Sequence, residues 1–99
     1  MIIQTREFGY GENYGEFFEG LKKWKAAVEQ KYPEVNITLM YNLAVKRGRL
    51  TVQSFYPTLS DYERIDAALD NDEEIGVIMS GMYEYLVPPI KDQFYRVIS

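Results

Sequence analysis

The sequence predicts an α+β domain with the element order strand, helix, strand, strand, helix, strand. Three observations carry this. Apolar and polar residues alternate in short runs near residues 1–8, 36–42, 50–56 and 92–98, the spacing of strands with two unlike faces. Between residues 12 and 32 the apolar spacing lengthens to three and four, which is the period of a helix. Glycines and prolines separate the runs and mark the breaks between elements.

The first run, about Met1 to Phe8, sets Ile3 and Thr5 against Ile2, Gln4, Arg6 and Phe8. It reads as a strand, and the glycines of "GYGEN" read as the turn after it. Tyr14, Phe17, Phe18, Leu21, Trp24, Val28 and Tyr32 then form one helix stripe over Glu12 to Tyr32. Asn13 and Glu16 have capping-box spacing at its start. Pro33 ends it, because the residue before a proline avoids helical geometry.

"VNITLMYNLAV" and "LTVQSFY" flank "KRGR", two β-rich runs around a glycine turn that read as a hairpin. In the first run Ile37, Leu39 and Tyr41 form a core face, and Asn36, Thr38, Met40 and Asn42 form an uncharged second face. In the next, Leu50, Val52 and Ser54 oppose Thr51, Gln53 and Phe55.

"PTLSDYERI" opens the second helix, with Ser60 and Glu63 in capping-box spacing. Tyr62, Ile65 and Leu69 share a face of it. Helical spacing resumes at Ile75, Ile78, Met79, Met82 and Leu86, so the helix breaks or kinks near Asp70 to Asp72. "VPP" stops it, and "DQFYRVI" is the last strand, with either Phe94, Arg96, Ile98 or Gln93, Tyr95, Val97 facing inward. The whole order is the split pattern βαββαβ of the ferredoxin-like fold, a four-stranded antiparallel sheet with its helices on one face.

A chain of 99 residues with 46% hydrophobic content suits one domain, residues 1–99, around one core. Nine Tyr and five Phe are many for so short a chain; the rings either simply fill the core or serve an interface or a ligand cavity as well. Net charge is -4 and the basic residues form no stripe, which argues against a nucleic-acid partner. Cysteine and histidine are absent; disulfides, thiolate chemistry and the commonest metal and haem ligand go with them. The expectation is no cofactor and no metal. The acidic run Asp70 to Glu74 lacks the glycine and spacing of a calcium loop and reads as a helix cap. "MIIQTREFGY" turns polar at once, and no apolar run nears the ~20 residues of a membrane span. The expectation is a soluble, cytoplasmic protein without membrane contact.

The sheet face left bare by the helices is the informative feature. An exposed sheet face normally alternates Lys and Glu into its pattern. The positions assigned to it here are Gln4, Thr38, Met40, Asn42, Thr51, Gln53 and Phe55, none of them charged, with Arg6 as the exception. Such a face suits a second copy of the same sheet, because interface cores are poor in charge and rich in aromatic residues, Met and Arg. The expectation is a homodimer through the sheet face, with a ligand site lined by Arg6, Gln4, Thr38, Met40, Asn42, Gln53, Phe55 and Tyr95.

In this pattern the chain resembles the dimeric α/β-barrel superfamily, and within it the NIPSNAP-like branch. "MIIQTREF" is similar to that branch's opening strand, and "TLSDYERIDAALDNDEE" to its second helix and the short helix that follows. The resemblance implies ferredoxin-like subunits whose sheets close a barrel across a twofold axis, and a small, partly aromatic ligand in that barrel. It implies cofactor-independent monooxygenase-like or isomerase-like chemistry. The alternative is a non-enzymatic interaction or scaffold domain. The superfamily's cofactor-free oxygenases use Asn, Trp, Arg and Tyr; Asn42, Trp24, Arg6 and Tyr41 are the side chains of those types here. Its haem-degrading members use an axial histidine, which this chain lacks.

Overall fold

The computed structural model describes residues 1–11, 14–41 and 49–98, with the backbone alone at residues 88 and 89. In chain order the elements are β1 (Ile2–Tyr10), α1 (Tyr14–Lys31), β2 (Asn36–Tyr41), β3 (Arg49–Tyr56), α2 (Leu59–Asp70), α3 (Glu73–Tyr83) and β4 (Leu86–Arg96). The strands form a four-stranded antiparallel sheet in the order β2-β3-β1-β4. This is the expected ferredoxin-like α+β arrangement, with the second helix divided in two. β4 meets β1 in two stretches, either side of an irregularity between Glu7 and Gly9.

Several boundaries differ from the sequence reading. β1 runs on through Gly9 and Tyr10, because Val87 and Leu86 pair with them, so both lie in the strand and not in the turn expected there. For the same reason Leu86 and the "VPP" stretch belong to β4, and α3 stops at Tyr83. The cap of α2 is Thr58, not Ser60: the helix starts at Leu59, and the Asp61 N–H donates to Thr58 Oγ1 over 3.1 Å. The break between the helices is where expected. Asp72 caps α3 by accepting the Ile75 N–H at 3.0 Å, and Lys31 of α1 donates to the same carboxylate at 2.8 Å. Asn13, Asn42 and the "KRGR" turn as far as Gly48 lie outside the described residues.

The core lies between the sheet and α1, α2 and α3. Phe17, Leu21 and Val28 of α1 are buried, in helical spacing, against Ile37, Leu50 and Val52 of the sheet. Ile65 of α2 and Ile75 of α3 are fully buried. Gly20 brings α1 and α3 together, since a Cβ there would sit 2.7 Å from Met82 Cγ. The Ile37 N–H donates to Glu29 of α1 at 2.9 Å, which ties β2 to that helix. Tyr41 departs from its expected core role. It lies on the helix side at the end of β2 but stays exposed, edge-on to Phe18 at 5.3 Å.

Candidate functional site

Register decides which side chains share a face. Ile2, Gln4, Arg6 and Phe8 pair with Tyr56, Ser54, Val52 and Leu50, and directly paired residues point to the same side of a sheet. Ile2, Phe8, Leu50, Val52 and Tyr56 belong to the core, so Gln4 and Arg6 also look toward the helices. This corrects their expected place on the bare face. The physical reason is that apolar residues hold both ends of the strand on the helix side, and the two polar residues between them meet a cavity. On β4, Asp92, Phe94 and Arg96 pair with Arg6, Gln4 and Ile2, which places them on the helix side and Gln93 and Tyr95 on the other.

The cavity has a volume of about 450 Å³, within the ~300–1,000 Å³ of small-molecule sites. Its floor is the sheet: Gln4, Arg6 and Phe8 from β1, and Val52, Ser54 and Tyr56 from β3. Phe17, Leu21 and Trp24 of α1 and Met79 and Met82 of α3 wall it. Asp66 and Asp70 of α2, Tyr83, Ile90 and Asp92 also line it, and all five are exposed, so they mark its mouth. The interior is thus aromatic, aliphatic and sulfur-bearing, with a few polar groups at fixed positions.

Arg6 is held by Asp92 through two parallel hydrogen bonds, Nε to Oδ1 at 2.7 Å and Nη2 to Oδ2 at 3.0 Å. Such a fork fixes the guanidinium plane and raises the Arg6 pKa, chiefly through that hydrogen bond. Burial pushes the Tyr56 phenol up to about 12, with Asp66 adding to the rise; it is a neutral donor at any ordinary pH. Asp66 is raised as well, first by burial and then by the charge of Asp70, with Arg6 acting against both. The Trp24 indole N–H is buried and has no hydrogen-bond partner among the described residues. A buried donor left unmade is unfavourable; other atoms of the Trp24 side chain line the cavity.

Of the eight expected lining residues, Arg6 and Gln4 line this cavity. Thr38, Met40, Gln53, Phe55 and Tyr95 fall on the opposite sheet face by register, and Asn42 lies outside the described residues. Trp24 lines the cavity and Tyr41 does not. The sequence reading missed Ser54, Tyr56, Asp66, Asp70 and Asp92 as lining groups. Asp66 and Asp70 are four apart on one helix, and neighbours at that spacing share a face; that signal was available. Asp92 was hidden by the two equally good inner sets of the last strand. Among the described residues no group of three or more acids could hold a metal ion, and no helix is long and apolar enough to cross a membrane.

No protein-family model and no curated protein matches the chain. Solved structures do. An uncharacterized NIPSNAP domain protein from Burkholderia xenovorans is 12% identical, with 100% of this chain and 96% of that one covered and a TM-score of 0.82. A putative antibiotic biosynthesis monooxygenase from Caulobacter crescentus is 11% identical over 99% and 90% of the two chains, at a TM-score of 0.83. A mutant form of SnoaB, a cofactor-independent oxygenase from Streptomyces nogalater, is 11% identical over 99% and 93%, at 0.76. The chain therefore has the fold shared by NIPSNAP domain proteins and antibiotic biosynthesis monooxygenases.

Proposed function

We propose that this chain binds a small, partly aromatic molecule in the cavity under its helices, and that two copies meet through the bare sheet face. The observation that carries the binding reading is a cavity of about 450 Å³ lined by aromatic and methionine side chains, Phe8, Phe17, Trp24, Met79 and Met82 among them. An apolar pocket with few convergent polar groups is the usual form of a small-molecule site.

The bare face supports the dimer. Its central positions, Ile3, Thr5, Thr38, Met40, Thr51, Gln53, Phe55 and Tyr95, are uncharged, and among the described residues the charges stand toward one end, at Glu7, Arg49 and Lys91. Glu7 is itself held by Arg49 at 3.1 Å. The residues first expected to line a ligand site between subunits, Thr38, Met40, Gln53, Phe55 and Tyr95, become contact residues in this reading.

Cofactor-free oxygenation of the bound molecule is the chemistry that the likeness to SnoaB supports, and that likeness is one of fold. Such chemistry begins with proton removal from the substrate. Asp66, with its raised carboxyl at the cavity mouth, is the group placed for it. The second reading is a binding domain without catalysis. It is favoured by the Arg6–Asp92 fork, which occupies the guanidinium that would otherwise stabilise a developing oxyanion.

Two measurements test the proposal. The chain has one tryptophan, so its amide spectrum carries a single indole N–H resonance. Titration with the neutral probe naphthylmethanol should move that resonance in a saturable way, and an unmoved resonance would sink the cavity reading. Sedimentation at micromolar concentration should give a dimer, and Phe55→Glu should give a monomer; a monomeric wild type removes the assembly.

A further inference from the structure

The charges that line the cavity are unbalanced. Among the described lining residues the charged groups are Arg6, Asp66, Asp70 and Asp92, one guanidinium against three carboxylates. Asp92 takes up the guanidinium with both oxygens. Neither Asp66 nor Asp70 has an ion-pair partner among the described residues. Both are on α2 at the cavity mouth and both are exposed. The Asp66 carboxyl is already pushed up, first by burial and then by the charge of Asp70, with Arg6 acting against both.

We infer that the cavity selects an aromatic molecule bearing a cationic amine over an aromatic acid, with the ring inside and the ammonium group between Asp66 and Asp70. The inference rests on the small-molecule reading above and adds the charge class of the ligand. An aromatic carboxylate finds no free cation among the described lining residues and must pass two carboxylates to enter. An ammonium group meets the same two as acceptors, and the ring still reaches the apolar walls. Arg6, the side chain most suggestive of an anion site in the sequence, is spent on Asp92 and so serves as part of the cavity floor.

Calorimetry of the full chain at neutral pH and low salt, with naphthylmethylamine, naphthylmethanol and naphthoate, tests this. The three share a ring system and differ in charge. The amine should bind at least about tenfold tighter than the carboxylate, as expected for opposite ligand charges beside two carboxylates at a protein–water boundary, with the alcohol between them. In the double variant Asp66→Asn, Asp70→Asn the preference should shrink to within about threefold, since both side chains are exposed and the change removes charge with little change of shape. Carboxylate binding equal to or tighter than amine binding overturns the inference, as does an amine preference that survives in the double variant. If none of the three binds, the small-molecule reading itself fails, and the charge preference with it.

Discussion

The helix side of the sheet has two halves built to different standards. Over β2 and the adjoining end of β3, Ile37 and Leu50 pack with Val28 and Val35, all nearly inaccessible to solvent, while Phe17, Leu21 and Val52 stand at the border and line the cavity as well. Over β1 and β4 the same side carries Gln4, Arg6 and Asp92 around a cavity, and every described β4 side chain from Ile90 onward is exposed. A tyrosine ladder joins the halves: Tyr56 meets Tyr62 at 5.1 Å, and Tyr62 meets Phe94 at 5.2 Å. The difference teaches that fold stability and ligand capacity are drawn from separate parts of one layer. A dry half holds the molecule together, so the other half can leave space and polar groups unfilled.

The strongest way to break that comparison is to truncate each half in turn. Ile37→Ala should lose about 2–5 kcal/mol, the usual range for a buried aliphatic side chain, read from the urea midpoint. Leu86→Ala, at the partly buried cavity edge, should lose no more than about 1–2 kcal/mol of apolar contact. Equal losses would mean that the halves do not differ. Next in size is Trp24→Phe. It keeps a ring and deletes a donor that has no partner among the described residues, so stability should change by less than about 1 kcal/mol, while the smaller ring in the cavity wall lowers affinity for naphthylmethanol about five- to tenfold. Loss of stability without loss of affinity would return Trp24 to simple packing.

A smaller effect is expected at the ion pair. Arg6→Met should cost less than about 1 kcal/mol in the urea midpoint, because its side chain and that of Asp92 are 41% and 38% exposed and water screens them. The smallest is a pH effect at Asp66. Its folded pKa is raised above the ordinary 3.8, so the wild type is penalised as pH rises through the folded value and the carboxyl must ionise. Asparagine does not titrate. Asp66→Asn should therefore raise the melting temperature at neutral pH, and the gain should vanish below the ordinary aspartate range. A gain that grows toward acid would contradict the assigned direction.

Much of this was legible in the residues. The element order, the helix break at Asp72 and the uncharged stretch of Thr38, Met40, Gln53 and Phe55 follow from period and from charge placement alone. The side of β1 did not. Gln4 and Arg6 read as outward because polarity normally marks the solvent side; under the helices here it marks a cavity. Ile2 and Phe8, at the ends of the same set, held the better signal, since both are in the core. β4 gave no readable alternation because neither of its faces is covered within the described chain. Asp92 therefore came to light only through its pairing with Arg6.

The strand order β2-β3-β1-β4 also sets the order in which the molecule can be completed during synthesis. β1 leaves the ribosome before either neighbour, yet it is a central strand. Its first partner, β3, begins only at Arg49, after residues 11–48 have been made, a wait of several seconds at ~5–20 residues per second. Its second, β4, comes last of all. Before β3 emerges, Phe8 and Tyr10 of β1 can already bury area against Phe17 of α1. The Arg6–Asp92 fork closes at the end of that sequence, across a separation of 86 residues, so it is the contact that registers a finished sheet.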